Sequence, residues 1–597
     1  MKAVKKGLQS LRLLKDIKLY VSLNIVNGIL NSFLGIFVII FPRKIVDSVL
    51  TGGFATAIEA AVLFLICNLI TVCIKAFVTY SVANQREHTN KYFDEKLKNK
   101  FMELEYQKIE TSSILDRKEK ARIGSTNIIE LVDNISILIS GLFTISYVCY
   151  LLFQMSIILV LLVIATVMFS SFLNYRRIKV EERLRENFVV LNRKWDYLNY
   201  VCRDKDNSKE IRLNSLSTWL SDKIRFFVED NERLIKENYR AATKANVGDA
   251  LGQNTQSLIV YLYLAYRVAL DLITVGEFFQ YVTVAAMLSD NLSKLAKSFQ
   301  TGLKNVKFIY SYDEFLCEEN ACDGELDMPE NMESFTLGIR NISFKYPNTD
   351  RYILKNFSLT IHNGEKVSIV GLNGAGKTTL IKLILRLYTL EEGDILLNGV
   401  DIRQYRLEGY RKKFSAVFQD FKIFSFNIRD NILMADMSEE DTGPIDAKKE
   451  EKVYAALHDV EYTEKIVSLK DGLDTYMLRD YDENGIELSG GMQQKTALCR
   501  AYYRNPKMLI LDEPTSMLDP IEEYKMYQSL SKLTADKTAI FISHRLASSK
   551  FCDRIAYIEN GSVEEIGSHD DLMELSGKYY LLFNTQAQYY EKINEIL

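Results

Sequence analysis

The 597 residues carry 74 Lys+Arg against 78 Asp+Glu, a formal net charge of -4, with 48% hydrophobic and 25% charged residues. These proportions exclude a disordered chain and a collagen, and they give no electrostatic reason to expect nucleic acid as a partner. Eight cysteines without paired CxxC spacing exclude a disulfide scaffold and are read as reduced thiols. Abundant Lys, Ile and Asn with only 7 Pro points to a bacterial source of low genomic GC.

The average composition hides two unlike halves. Leu19–Pro42 contains no charged residue, and Ala60–Gln85 contains only Lys75. Asn134–Tyr175 is uncharged throughout. A helix needs about 20 apolar residues to span hydrocarbon, so this third run is long enough for two spans, with a turn expected near Gln154–Ser156. Ala250–Tyr266 and Phe278–Ser289 with flanks supply two weaker spans, giving an expected count of six. Gln253, Asn254, Gln256, Arg267 and Asp290 suit helices that face a wet cavity rather than lipid. Asn24, Asn27 and Asn31 share one face of the first span and are expected to meet a neighbouring helix or that cavity.

Lys and Arg set the expected orientation. Lys2, Lys5, Lys6, Arg12, Lys15 and Lys18 precede the first span, and both connections Gln85–Asp133 and Tyr175–Asp249 are basic, so these segments are expected in the cytoplasm. Arg43 and Lys44 argue against this, because they fall on the predicted outer side. The first apolar run is of span length and lacks a small-residue cleavage site, so no signal peptide is expected. Lys91–Ile109 and Lys179–Trp195 read as helical extensions of the spans, and the acidic stretch 311–334 reads as a solvated linker. The expected division is thus 1–310 membrane domain with six spans and two long helical connections, 311–334 linker, and 335–597 nucleotide-binding domain.

In the second half, the β-like run Lys366–Val370 leads into Gly371-Leu-Asn373-Gly374-Ala375-Gly376-Lys377-Thr378-Thr379 and then a helical apolar pattern. GxxxxGK[ST] between strand and helix is a P-loop: its amides converge on phosphate, Lys377 reaches the β/γ-phosphates and Thr378 ligates Mg²⁺. A second apolar strand, Met508–Leu511, ends in Asp512-Glu513. Asp512 is placed to hold Mg²⁺ and Glu513 to polarise the attacking water.

With these motifs in order, the chain resembles a half-transporter of the ATP-binding cassette (ABC) exporter family, a membrane domain fused ahead of its ATPase. The resemblance implies an all-α six-helix transmembrane domain followed by an α/β P-loop NTPase domain. It assigns Leu488-Ser489-Gly490-Gly491-Met492-Gln493-Gln494-Lys495 as the signature that contacts the γ-phosphate held by a second subunit. By the same resemblance Tyr346 stacks on adenine, Gln419 is the Q-loop glutamine that contacts Mg²⁺, Ser516–Asp519 is the D-loop and His544 is the switch histidine. The implied cofactors are ATP and Mg²⁺, and the implied partners are a second copy of the chain, with a heterodimer with a degenerate partner as the alternative, a lipid bilayer and an exported substrate. Two departures stand out: Asp482-Glu483-Asn484-Gly485 replaces Gly-Glu-x-Gly before the signature, and Met-Gln-Gln-Lys replaces Gln-Arg-Gln-Arg in its tail. The expected function is ATP-driven export of a peptide or amphipathic small molecule from a bacterial cell membrane, the ATPase in the cytoplasm. A lipid or glycolipid flippase is the alternative, and a regulatory ABC ATPase that moves nothing is the rival from another class. A peptide-processing exporter is disfavoured, since too little chain precedes the first span for a protease domain.

Overall fold

The computed structural model describes residues 10–155, 157–320, 323–329, 332, 334–434, 447–515, 520–534, 537–543 and 546–594. The chain divides into two units, one running to Asn320 and the other from Ala321, with Glu105–Gln107 belonging to the second.

Pro42 is the one proline before Pro329, so almost nothing interrupts helix propagation in the first unit. Among the described residues it contains six long helices: α1 (Lys18–Leu50), α2 (Phe54–Glu103), α3 (Ser112–Met155), α4 (Ile157–Arg203), α5 (Ser217–Ala269) and α6 (Val275–Leu316). Helix α3 is described to Met155 and α4 from Ile157, and the turn expected near Gln154–Ser156 includes residue 156, which lies outside the described residues. Helices over Arg12–Leu50, Phe54–Glu103, Ser112–Phe153 and Val160–Val180 are long and apolar enough to cross a membrane. The segments expected as fifth and sixth spans lie on α5 and α6, which are not among these four. Polar residues such as Gln253, Asn254, Gln280 and Asp290 interrupt their apolar stretches. Helix α6 continues to Leu316, with Tyr312 and Phe315 buried, into the stretch read as a linker.

Helices α3 and α6 meet through Ile128, Val132, Ile309 and Tyr312. They approach so closely that a Cβ on Gly124 would lie 2.3 Å from the Phe308 carbonyl oxygen. Thr274 starts α6 with a capping box: its hydroxyl accepts from the Glu277 N–H, and the Glu277 carboxylate accepts from the Thr274 N–H. Arg43 of α1 donates to Glu277 and Gln280, each at 2.9 Å, so the cation that argued against the orientation is paired with α6. The asparagine face of α1 turns toward α3: Asn24 is buried and donates to the Tyr20 carbonyl, Tyr20 donates to Asp133, and Gly28 packs on Ser136. The side-chain oxygen of Asn27 is enclosed without a hydrogen-bond partner.

The second unit holds two sheets. Strands β1 (Leu337–Lys345), β2 (Tyr352–Ile361), β4 (Glu392–Leu397) and β5 (Val400–Asp401) form an antiparallel sheet in the order β2-β1-β4-β5. Strands β3 (Lys366–Val370), β6 (Phe414–Val417), β7 (Met508–Asp512), β8 (Thr538–Ile542), β9 (Arg554–Glu559) and β10 (Ser562–Gly567) form the second, ordered β10-β9-β3-β8-β7-β6. All its pairings are parallel except β9–β10. Strands β7 and β8 are buried at every position, as parallel strands covered on both faces must be. Helix α7 (Lys377–Ile384) fills the space between the sheets with Leu380, Ile381 and Ile384 against Ile339, Ile369 and Ile540. On the other face of β6 and β7 lies a helical lobe, where Leu498 and Cys499 of α8 (Gly490–Tyr503) pack with Ile432, Leu457, Leu509 and Leu511.

Candidate functional site

Three parallel strands deliver predicted residues at their C-terminal ends. β3 runs into the P-loop, β6 ends two residues before Gln419, and β7 carries Asp512 with Glu513 next. His544 follows the end of β8 by two positions but lies outside the described residues, as does the Ser516–Asp519 segment. In an open parallel sheet the C-terminal strand ends form the ligand-binding crevice.

The loop after β3 closes on itself. The Lys377 ammonium donates to the carbonyls of Gly371 and Leu372 at 2.7 and 3.0 Å. Gly376 takes φ +102°, where a Cβ would sit 2.7 Å from Leu354, so a larger residue is both strained and crowded there. Asn373, Gly374 and Ala375 complete the curl that delivers the N-terminus of α7 to the crevice. Thr378 donates to the Asp512 carboxylate at 2.9 Å, which ties the helix start to the end of β7. Burial pulls the Lys377 ammonium below its ordinary pKa, opposed by the charges of Glu513 and Asp512. Burial likewise pushes the Asp512 carboxyl up, with the Thr378 hydrogen bond opposing and the nearby charges of Glu513 and Asp420 adding to the rise. A buried carboxylate that accepts from a hydroxyl is oxygen chemistry that fits a divalent cation.

Glu513 sits at φ +51°, in the left-handed region that non-glycine residues rarely adopt. Two contacts hold its backbone there. Its N–H donates to the Ile542 carbonyl at 2.9 Å, and its carbonyl accepts from the Gln494 side chain at 3.3 Å. Gln494, buried on α8, thus connects the signature helix to Glu513 within one chain. Sequence reading assigned it no role beyond its place in a divergent tail. Its spacing from Ser489 is the one signal available, and that spacing does not reveal the contact.

Tyr346 is brought to the same crevice, its hydroxyl 2.9 Å from that of Thr379. Its ring meets Phe344 and Tyr388 edge-on at 5.4 and 5.2 Å. Beside it opens a cavity of about 450 Å³ lined by Lys345, Thr349, Thr389 and Glu391 among others. Gln419 lies exposed beyond β6. Ser489 caps α8, accepting from the Met492 N–H at 3.4 Å, and Gly490 and Gly491 form its first turn. Among the described residues, the hydrogen bonds of Ser489 lie within that helix, to the N–H groups of Met492 and Gln493.

The ABC transporter family model matches residues 354–516, from β2 past Asp512 and Glu513. The chain is 31% identical to the subtilin transport ATP-binding protein SpaT of Bacillus subtilis over 395 residues, 65% of this chain and 62% of that protein. It is 32% identical to an ATP-dependent lipid A-core flippase of Pasteurella multocida (strain Pm70), over 59% of each chain. It is 30% identical to the uncharacterized ABC transporter ATP-binding protein YwjA of Bacillus subtilis (strain 168), over 68% of each. The chain thus spans about three fifths of the length of the first two relatives. A solved bacterial Atm1-family ABC exporter with ATP bound shares the fold at a TM-score of 0.77 and 22% identity, covering 96% of this chain and 98% of that one. The chain belongs to the ABC transporter family, with an apolar helical membrane unit and a nucleotide-binding ATPase unit in one polypeptide.

Proposed function

We propose that this protein is an ATP-driven exporter that works as a dimer of identical chains. The observation that carries the reading is the meeting of Lys377, Thr378, Asp512 and Glu513 at the strand ends of a unit fused to membrane-crossing helices. In this reading the P-loop amides and Lys377 bind the nucleotide phosphates, and Tyr346 stacks on the base. Thr378, Asp512 and Gln419 hold Mg²⁺, which when bound neutralises phosphate charge. Glu513 orients the attacking water and accepts its proton, while His544 hydrogen-bonds the γ-phosphate.

The local bonding of Ser489 supports the dimer. A signature whose Ser489 bonds only along its own helix is free to complete the site of a second copy, and two such sites arise from one two-fold axis. Closing and opening of these sites would drive the membrane helices between inward-facing and outward-facing states. With both termini and the long connections in the cytoplasm, the ATPase faces the cytoplasm and six spans cross the cell membrane. The cargo we favour is a peptide or amphipathic small molecule, in line with the subtilin transport protein among the relatives. The lipid A-core flippase among them supports the second reading, a lipid flippase.

The test is reconstitution in sealed vesicles with ATP outside. An exporter hydrolyses ATP and accumulates cargo inside. Hydrolysis without flux of any peptide, amphiphile or lipid tested would support the regulatory ATPase instead.

A further inference from the structure

Asp249 of α5 is the one buried acidic side chain among the described residues of the helical unit. Three side chains from two neighbouring helices converge on it. Ser170 of α4 donates to one carboxylate oxygen. Asn174 of α4 and Lys297 of α6 donate to the other, at 3.2 and 2.9 Å. Two turns along α5, Gln256 accepts from Thr166 of α4 at 2.6 Å and Ser289 of α6 at 3.0 Å. Polar groups therefore hold the α4–α5–α6 contact at two levels.

The two charged partners differ in exposure. The Asp249 side chain is 9% exposed, whereas that of Lys297 is 47% exposed. Lys297 reaches inward from an open face of α6, where Asp290 and Lys294 precede it at i-7 and i-3, exposed and paired at 2.6 Å. Three exposed ionisable groups on one helix face would be costly against hydrocarbon and suit a face beside water. One turn further, the Gln300 amide donates to the Ser171 carbonyl at 3.2 Å while its side-chain oxygen is enclosed without a partner. The cluster thus presents a carboxylate, a hydroxyl and an amide next to an exposed face of α6, with a tethered ammonium in place.

We propose that this cluster is the cargo site of the exporter and takes a primary ammonium group. The Lys297 ammonium is its built-in stand-in and leaves for water when cargo binds. Exchange of one ammonium for another keeps Asp249 neutralised, which avoids the penalty of an unpaired buried charge. The inference rests on the exporter reading and narrows its substrate class to amphiphiles or peptides with a free amine.

The experiment measures equilibrium binding of decylammonium to the full-length protein in lipid nanodiscs without nucleotide, empty nanodiscs subtracted, with decyltrimethylammonium as comparator. Wild type should bind decylammonium saturably and the trimethyl compound, which has no N–H to donate, more weakly. Lys297→Met should tighten decylammonium binding roughly tenfold, because the competitor is gone. Asp249→Asn should weaken it at least about tenfold. Thermal melting shows whether each variant is folded. If Asp249→Asn does not fold, Lys297→Met alone decides. A folded Lys297→Met that binds decylammonium no tighter than wild type overturns the proposal and leaves a packing node. Because no ATP is present, failure here is separable from failure of the exporter reading, which ATP-driven flux tests.

Discussion

Glu513 combines a backbone in the left-handed region with a carboxylate at the end of a buried strand. Ile542 and Gln494 help hold it there. Glu513→Gln keeps the shape and removes the proposed base, so MgATP should still bind while hydrolysis falls at least ~10²-fold, measured as phosphate release beside nucleotide affinity. Turnover near the wild-type rate would take this role from Glu513. Gln494→Leu tests the support rather than the base. It keeps the buried volume and deletes the hydrogen bond, so kcat should fall about tenfold with KM for ATP nearly unchanged. A rise in KM with kcat intact would show that Gln494 serves binding instead. At this scale the sequence was uneven in what it disclosed. Lys377, Thr378, Asp512 and Glu513 stand in motifs whose spacing is itself the chemistry. The Gln494 contact joins residues that fold on separate elements, and local spacing carries no trace of it.

Among the elements, a strict geometric demand falls where α3 crosses α6. A Cβ on Gly124 would meet the Phe308 carbonyl oxygen at 2.3 Å and the Tyr312 Cβ at 2.9 Å. Backbone cannot yield as a flexible side chain can, so Gly124→Leu must push the helices apart. Overpacking of this kind costs typically about 1–3 kcal/mol. The expected outcome is a clear drop in melting temperature in detergent or nanodiscs, while Gly252→Leu, whose Cβ meets nothing within 4 Å, should melt near wild type. Equal melting of all three proteins would refute the close crossing. The apolar runs made α1 to α4 readable because length and absence of charge suffice for a span. Helices α5 and α6 were harder to read, since their polar positions serve one another across α4, α5 and α6, as Gln256 does with Thr166 and Ser289.

For the whole molecule, the reading requires two chains to build each ATP site. Ser489→Arg places a bulky cation at the N-cap of the signature helix and leaves the P-loop untouched. Hydrolysis should be abolished and nucleotide binding at Lys377 retained. Mixed with a Lys377→Ala chain, the variant should regain at most part of the wild-type rate, because a mixed pair joins one intact P-loop to one intact signature. Full hydrolysis by isolated monomers would end the dimer reading.

The sequence alone determines that one half is apolar enough for a membrane and that the other carries a phosphate-binding loop, since both depend on residues close together in the chain. It also orders the ATPase elements, each placed where a strand ends. Tertiary structure alone decides how those pieces act on one another: that Thr378 bonds Asp512, that Gln494 holds Glu513, and that Lys297 rather than a nearer charge neutralises Asp249. The physical reason is the range of the interactions. Hydrophobic periodicity and turn chemistry are written in neighbouring residues, whereas a buried hydrogen bond or ion pair depends on which helices and strands pack together, and packing is a property of the folded chain.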